Sequence, residues 1–136
     1  MVHIKMEKNI DTIFEEMNWN KSEDIQMQAI EQAKKIKHLS VFIMPIENKS
    51  VWENCAKVLI SKSDDELSLY FIELFKWFKD MNWPGAYLIY DRLLNVSKEE
   101  ILVECNYSIS VARKLKDYAW ERALLDFYKQ YIDCFN

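Results

Sequence analysis

Asp80-Met81-Asn82-Trp83-Pro84-Gly85-Ala86 decides how this chain folds. The stretch holds one of only two prolines and the only glycine, so it is the sharpest break open to the backbone. An aromatic-rich helical pattern leads into it and an apolar helical pattern leaves it. Asn82 is a residue type that caps helices, and Pro84 suits a first helical turn, where its missing N–H had no partner to lose. Gly85 and Ala86 are small, which lets two backbones approach closely at a tight corner. The rest of the chain is read as helices packed around this elbow.

Composition supports that reading. The chain has 136 residues, of which 50% are apolar and 14% aromatic. That is one domain's length, with ample apolar area for a core. A single glycine leaves almost no material for hairpins, so the expectation is an all-α domain spanning residues 1–136, without a sheet. Lys and Arg number 18 against 22 Asp and Glu, a net charge of −4. This acidity disfavours general binding to nucleic acid. Cys55, Cys105 and Cys134 are odd in number and widely spaced, which fits reduced thiols in a cytoplasmic protein. There is no signal-peptide pattern at the N-terminus and no apolar run long enough for a membrane span.

The elements follow in order. Residues 4 to 16, with Ile4, Ile10, Ile13 and Phe14, predict a ragged amphipathic helix. Ser22 caps a second, with Ile25, Ala29, Ile30, Ala33 and Ile36 inward. Val41 to Pro45 reads as a buried connector, since no other stretch offers a strand to pair with it. Three capping boxes are read: Ser50 with Glu53, Ser63 with Glu66, and Ser97 with Glu100. Asp64 to about Met81 predicts the central helix, with Leu67, Tyr70, Phe71, Leu74, Phe75 and Phe78 in one stripe. Ile89, Leu93 and Leu94 bury the next helix, with Arg92 outward. Ile101, Leu102, Cys105, Ile109 and Leu115 bury the one after. Asp117 caps the last, with Trp120, Ala123, Leu124, Phe127, Tyr131 and Phe135 inward. The sum is about seven antiparallel helices, most of roughly 12 to 18 residues. Glu16-Met17-Asn18-Trp19 echoes Asp80-Met81-Asn82-Trp83, which suggests stacked two-helix repeats in a superhelix of the HEAT or armadillo kind.

Several segments resemble an uncharacterised bacterial family among the domains of unknown function. They are Trp52-Glu53-Asn54-Cys55-Ala56, Ser63-Asp64-Asp65-Glu66-Leu67, and Trp77 with Asp80 to Ala86. The family pattern is a W-E-N-C-A segment followed by W-x-x-D-x-N-W-P-G-A. The likeness extends from about residue 13 to residue 95 and leaves the final 40 or so residues without a counterpart. It implies an all-helical, HEAT-like domain without established enzyme activity. Relatives of this size look like immunity proteins, the cytosolic antidotes of secreted toxins in competition between bacteria.

Chemistry is sparse. His3 and His38 are the only histidines and neither has a carboxylate or cysteine at ligand spacing, so no metal site is expected. No phosphate loop can form with one glycine, and no cofactor is expected. Cys55 lies on an apolar face and reads as an inert thiol. Trp77 and Trp83 read as core residues with satisfied indole N–H groups, against a ligand-stacking platform. The candidate binding residues are Asp64, Asp65 and Glu66 in an acidic cluster, and Asp80, Asn82, Trp83 and Tyr87 at the corner. Acidic residues near helix starts favour the dipole and solvate the surface. They also suit a basic protein partner, whose association they would accelerate. The leading expectation is a non-enzymatic, monomeric or weakly dimeric immunity protein that occludes a cognate toxin. An intracellular scaffold is the second reading, and a small-ligand binder or enzyme at the corner the third.

Overall fold

A computed structural model describes residues 9–46 and 48–134. Expectations that fall on Ile4 and Phe135 lie outside these residues. The described residues are helical, with no strand among them. The α-helices are α1 (Ile10–Glu16), α2 (Glu23–Ala33), α3 (Trp52–Ile60), α4 (Asp64–Ser68), α5 (Phe71–Phe75), α6 (Ala86–Leu94), α7 (Glu100–Lys114) and α8 (Tyr118–Cys134). Short 3-10 turns cover Leu39–Phe42, Lys49–Val51 and Lys76–Lys79.

Local signals hold where the cap has no long-range competitor. The Asn9 side chain accepts from the Thr12 N–H at 2.9 Å, and Ser22 Oγ accepts from the Ile25 N–H at 3.3 Å. Ser63 and Glu66 form a complete capping box. The Asp117 carboxylate accepts from the Trp120 N–H at 3.1 Å and so begins α8. Lys116 takes a left-handed φ of 56°, which lets the Asp117 N–H reach back to the Ala112 carbonyl and close α7.

Long-range partners displace two expected caps, and a third expectation fails at a kink in the central helix. The helix read from Asp64 to Met81 is broken into α4, α5 and a 3-10 turn. Tyr70, at φ −124° and ψ 11°, sits between α4 and α5 outside helical geometry, and Leu69 is 79% exposed at the kink. Ser50 forms no capping box with Glu53. Its side chain is buried and accepts from Asn18 Nδ2 at 2.6 Å, while Asn48 accepts from the Ser50 N–H at 2.9 Å. Ser97 forms none with Glu100, because its N–H and hydroxyl both donate to Asp64 at 3.0 and 3.1 Å. Leu115 and Ile25, expected inward, are exposed.

One buried cluster runs from Ile13 to Tyr131. Its centre is aromatic. Phe127 meets Phe75 at 5.2 Å, Tyr90 at 5.4 Å and Phe78 at 5.6 Å between ring centroids. The Trp120 indole donates to the Phe75 carbonyl at 2.9 Å, and the Tyr131 hydroxyl to the Val96 carbonyl at 2.7 Å. These bonds bring buried polar atoms into the core at little cost. The N-terminal pair α1–α2 is fastened through Asn54, whose side-chain amide donates to the Met17 carbonyl at 2.6 Å and to Gln26 Oε1 at 2.8 Å. Helix α3 packs on α6, and α6 on α8, across intervening elements. In a solenoid each repeat meets only its neighbours. With two helices per repeat, like helices of adjacent repeats also meet across the one between them, so these pairings do not separate a superhelix from a globular bundle. The two echoed segments also differ: Met17 is buried beside an exposed Trp19, whereas Met81 and Trp83 are both half-buried.

Candidate functional site

The corner is built from its only glycine. Gly85 takes φ +85°, a left-handed conformation that other residues adopt at a cost of about 1 kcal/mol or more. A Cβ there would stand 2.7 Å from Ala56 Cβ and 3.0 Å from the Trp52 carbonyl oxygen. Gly85, not Asn82, precedes the first helical residue, Ala86, so Pro84 lies outside the helix. Asn82 instead closes a tight turn: Asp80 Oδ1 accepts from its N–H at 2.8 Å. The Pro84 carbonyl accepts from the Trp77 indole at 2.9 Å.

Three tryptophans brace the turn. Trp52 meets Trp77 edge to face at 6.0 Å and Trp83 at 5.4 Å. Its indole N–H donates to the Pro45 carbonyl at 2.7 Å. Trp77 is fully buried, as expected of a core residue; Trp83 is only half-buried. The Lys49 ammonium lies 5.4 Å from the Trp83 ring centre and 5.6 Å from that of Trp52. This is cation–π range, and it fixes the exposed edge of the wedge.

Beside this wedge is an open groove of about 290 Å³. Asn82, Trp83 and Tyr87 line it, together with Met81, Pro84, Gly85 and Leu88. Tyr87 is 65% exposed. The one ionisable carboxylate in the lining is that of Glu53, from α3. Among the described residues its side chain makes no ion pair or hydrogen bond. The local sequence pairs Glu53 with Ser50 in a capping box. The signal that would have freed it is the competing attraction of Ser50 to Asn18, which lies 32 residues away and is invisible locally.

The acidic cluster is placed differently. Asp64 Oδ1 pairs with Arg92 Nη2 at 2.8 Å, and Asp64 Oδ2 takes the two Ser97 donors. Its carboxyl is held below the usual range, first by the Ser97 backbone N–H and then by Arg92 and the Ser97 hydroxyl. Arg92, expected outward, also donates to the Ile60 and Lys62 carbonyls at 3.2 and 2.7 Å. Asp65 pairs with Lys98, and Glu66 caps α4. Asp64, Asp65, Glu66 and Asp80 are absent from the groove lining; Asn82, Trp83 and Tyr87 are brought together in it.

No group of three or more His, Cys, Asp or Glu side chains suited to a metal ion occurs among the described residues, and none of their helices is long and apolar enough to cross a membrane. Burial pushes the Cys55 and Cys105 thiols up to about 12, far from nucleophilic range.

Neither a curated protein nor a solved structure matches the chain. A family of unknown function does, over residues 47–135. That span contains the Trp52–Ala56 and Trp77–Ala86 segments. It also takes in the final 40 or so residues, which the likeness had left without a counterpart, and it excludes residues 13–46. With more than half of its length matched, the chain belongs to the family described as domain of unknown function DUF5071.

Proposed function

We propose that this chain is a protein-binding immunity protein, which neutralises a cognate bacterial toxin by covering its functional surface. The observation that carries the reading is the groove at the corner. Tyr87 stands exposed and Trp83 half-exposed on a backbone that Gly85, Trp52 and Trp77 hold still. Tyrosine and tryptophan are the side chains on which protein interfaces most often depend, and a preorganised anchor loses little entropy on binding. The groove is open, and at about 290 Å³ it is slightly below the roughly 300–1,000 Å³ of sites that enclose a small ligand. That favours a protein surface over a metabolite.

The test is co-expression with the product of the adjacent gene, followed by co-purification and a toxicity assay. The expected result is a complex and rescue of growth. Tyr87→Ala should weaken the complex by about 2 kcal/mol or more. A neighbour that is not toxic, with no complex formed, would overturn the immunity reading. Capture of a resident cytosolic protein through the same groove would favour the scaffold reading.

A further inference from the structure

We infer that the corner groove is a receptor for an arginine side chain presented by the partner protein, with Glu53 as its charge partner. The inference rests on the protein-binding reading and names the chemistry of the contact.

Glu53 supplies the only ionisable carboxylate in the lining, and that carboxylate is unengaged among the described residues. Lys57, one turn further along α3, does not close an ion pair with it. The groove also offers the exposed Tyr87 ring, an aromatic face that attracts a cation, and the Asn82 amide. The chain itself shows that an aromatic ring here accepts a cation, since Lys49 rests over Trp83 at 5.4 Å. Lys49 is outside the lining and leaves the Tyr87 ring and the Glu53 carboxylate to the incoming group.

Arginine fits better than lysine. Its guanidinium is planar, stacks on aromatic rings and pairs with a carboxylate through two parallel N–H bonds. The acidic residues 64 to 66 cannot play this role as free charges, because Arg92, Ser97, Lys98 and Ser63 already occupy them. The net charge of −4 still draws a cationic surface towards the chain at long range.

The probe is N-acetyl-arginine amide, titrated into the isotope-labelled full chain and followed by NMR. Its neutral isostere, N-acetyl-citrulline amide, is the control. The expected result is a saturable shift of the Trp83 indole and Gly85 amide signals with the arginine compound. The citrulline compound, or the arginine compound on Glu53→Gln, should bind at least about fivefold more weakly. Glu53 is exposed, so Glu53→Gln should melt like the parent, and its unchanged spectrum elsewhere shows that the fold persists. Equal response to the two compounds, or shifts confined to another surface, would overturn the inference. The protein-binding reading is scored separately. A neighbour-encoded complex that ignores Glu53→Gln and added salt leaves that reading standing and sinks the arginine receptor. An arginine probe that seats where no complex forms does the reverse.

Discussion

Arg92 and Asp64 meet at 2.8 Å, and this one pair fastens three segments of the chain. The guanidinium closes the C-terminal end of α3 through the Ile60 and Lys62 carbonyls. The carboxylate, on the first residue of α4, holds the Ser97 N–H in the turn after α6. Arg92→Ala should cost about 2–3 kcal/mol, since it leaves half-buried acceptors without donors. Arg92→Lys should recover little of this, because one ammonium cannot span the same three acceptors. Urea denaturation of the two variants measures both effects.

The Asp64 carboxylate, held first by the Ser97 backbone N–H and then by Arg92, sets an acid limit. The folded carboxyl of Asp64 titrates below its unfolded value of about 3.9, so its contribution is complete above that value. The contribution is lost as pH falls through the folded value. Parent protein should therefore lose stability more steeply than Asp64→Asn below about pH 4. Parallel curves for the two proteins would show that the carboxylate is not coupled to folding.

Gly85→Ala should destabilise by about 3 kcal/mol, part from the left-handed backbone and part from the contact with Ala56. Adding Ala56→Gly should not restore stability, because φ at Gly85 and the Trp52 carbonyl at 3.0 Å are unchanged and a glycine inside α3 itself costs about 1 kcal/mol. A double mutant as stable as the parent would show that the backbone itself is unstrained.

Trp77 and Trp83 should separate in thermal melts. Trp77→Ala empties a fully buried site and orphans the Pro84 carbonyl, at about 3–5 kcal/mol. Trp83→Ala removes an edge contact with Trp52 and the seat of Lys49, at about 1–2 kcal/mol. Equal losses would mean that Trp83 is as deeply packed as Trp77.

Thiol labelling gives an independent check on the packing. Cys134 is exposed and should react at once in native protein. Cys55 and Cys105 are buried with thiols raised to about 12, and should react only on unfolding. Three fast thiols would contradict the described core.

The all-helical class was legible because it depends on composition and periodicity, which are local. So were the Ser22, Ser63 and Asp117 caps, whose partners lie within three residues. The Ser50 and Ser97 cap patterns mislead because Asn18 and Asp64, more than 30 residues distant, offer those side chains better partners. Arg92 looked like a solvent-facing charge for the same reason. The break at Leu69–Tyr70 has no glycine or proline to announce it, so an apolar stripe concealed two short helices. At the candidate site, Asn82, Trp83 and Tyr87 were visible as polar and aromatic residues at a chain break. Glu53 was not, because its carboxylate becomes available only after the fold has drawn Ser50 away.

The Asn54 amide bonds to Met17 and Gln26 bear on where this polypeptide can be trimmed. Cutting at residue 47, the boundary of the family match, would strip both acceptors from a side chain that has no other outlet. It would also bare the wall of α3 on which α2 rests. Residues 9–46 thus act as a lid riveted to the remainder. Excision should yield insoluble material instead of a smaller working unit.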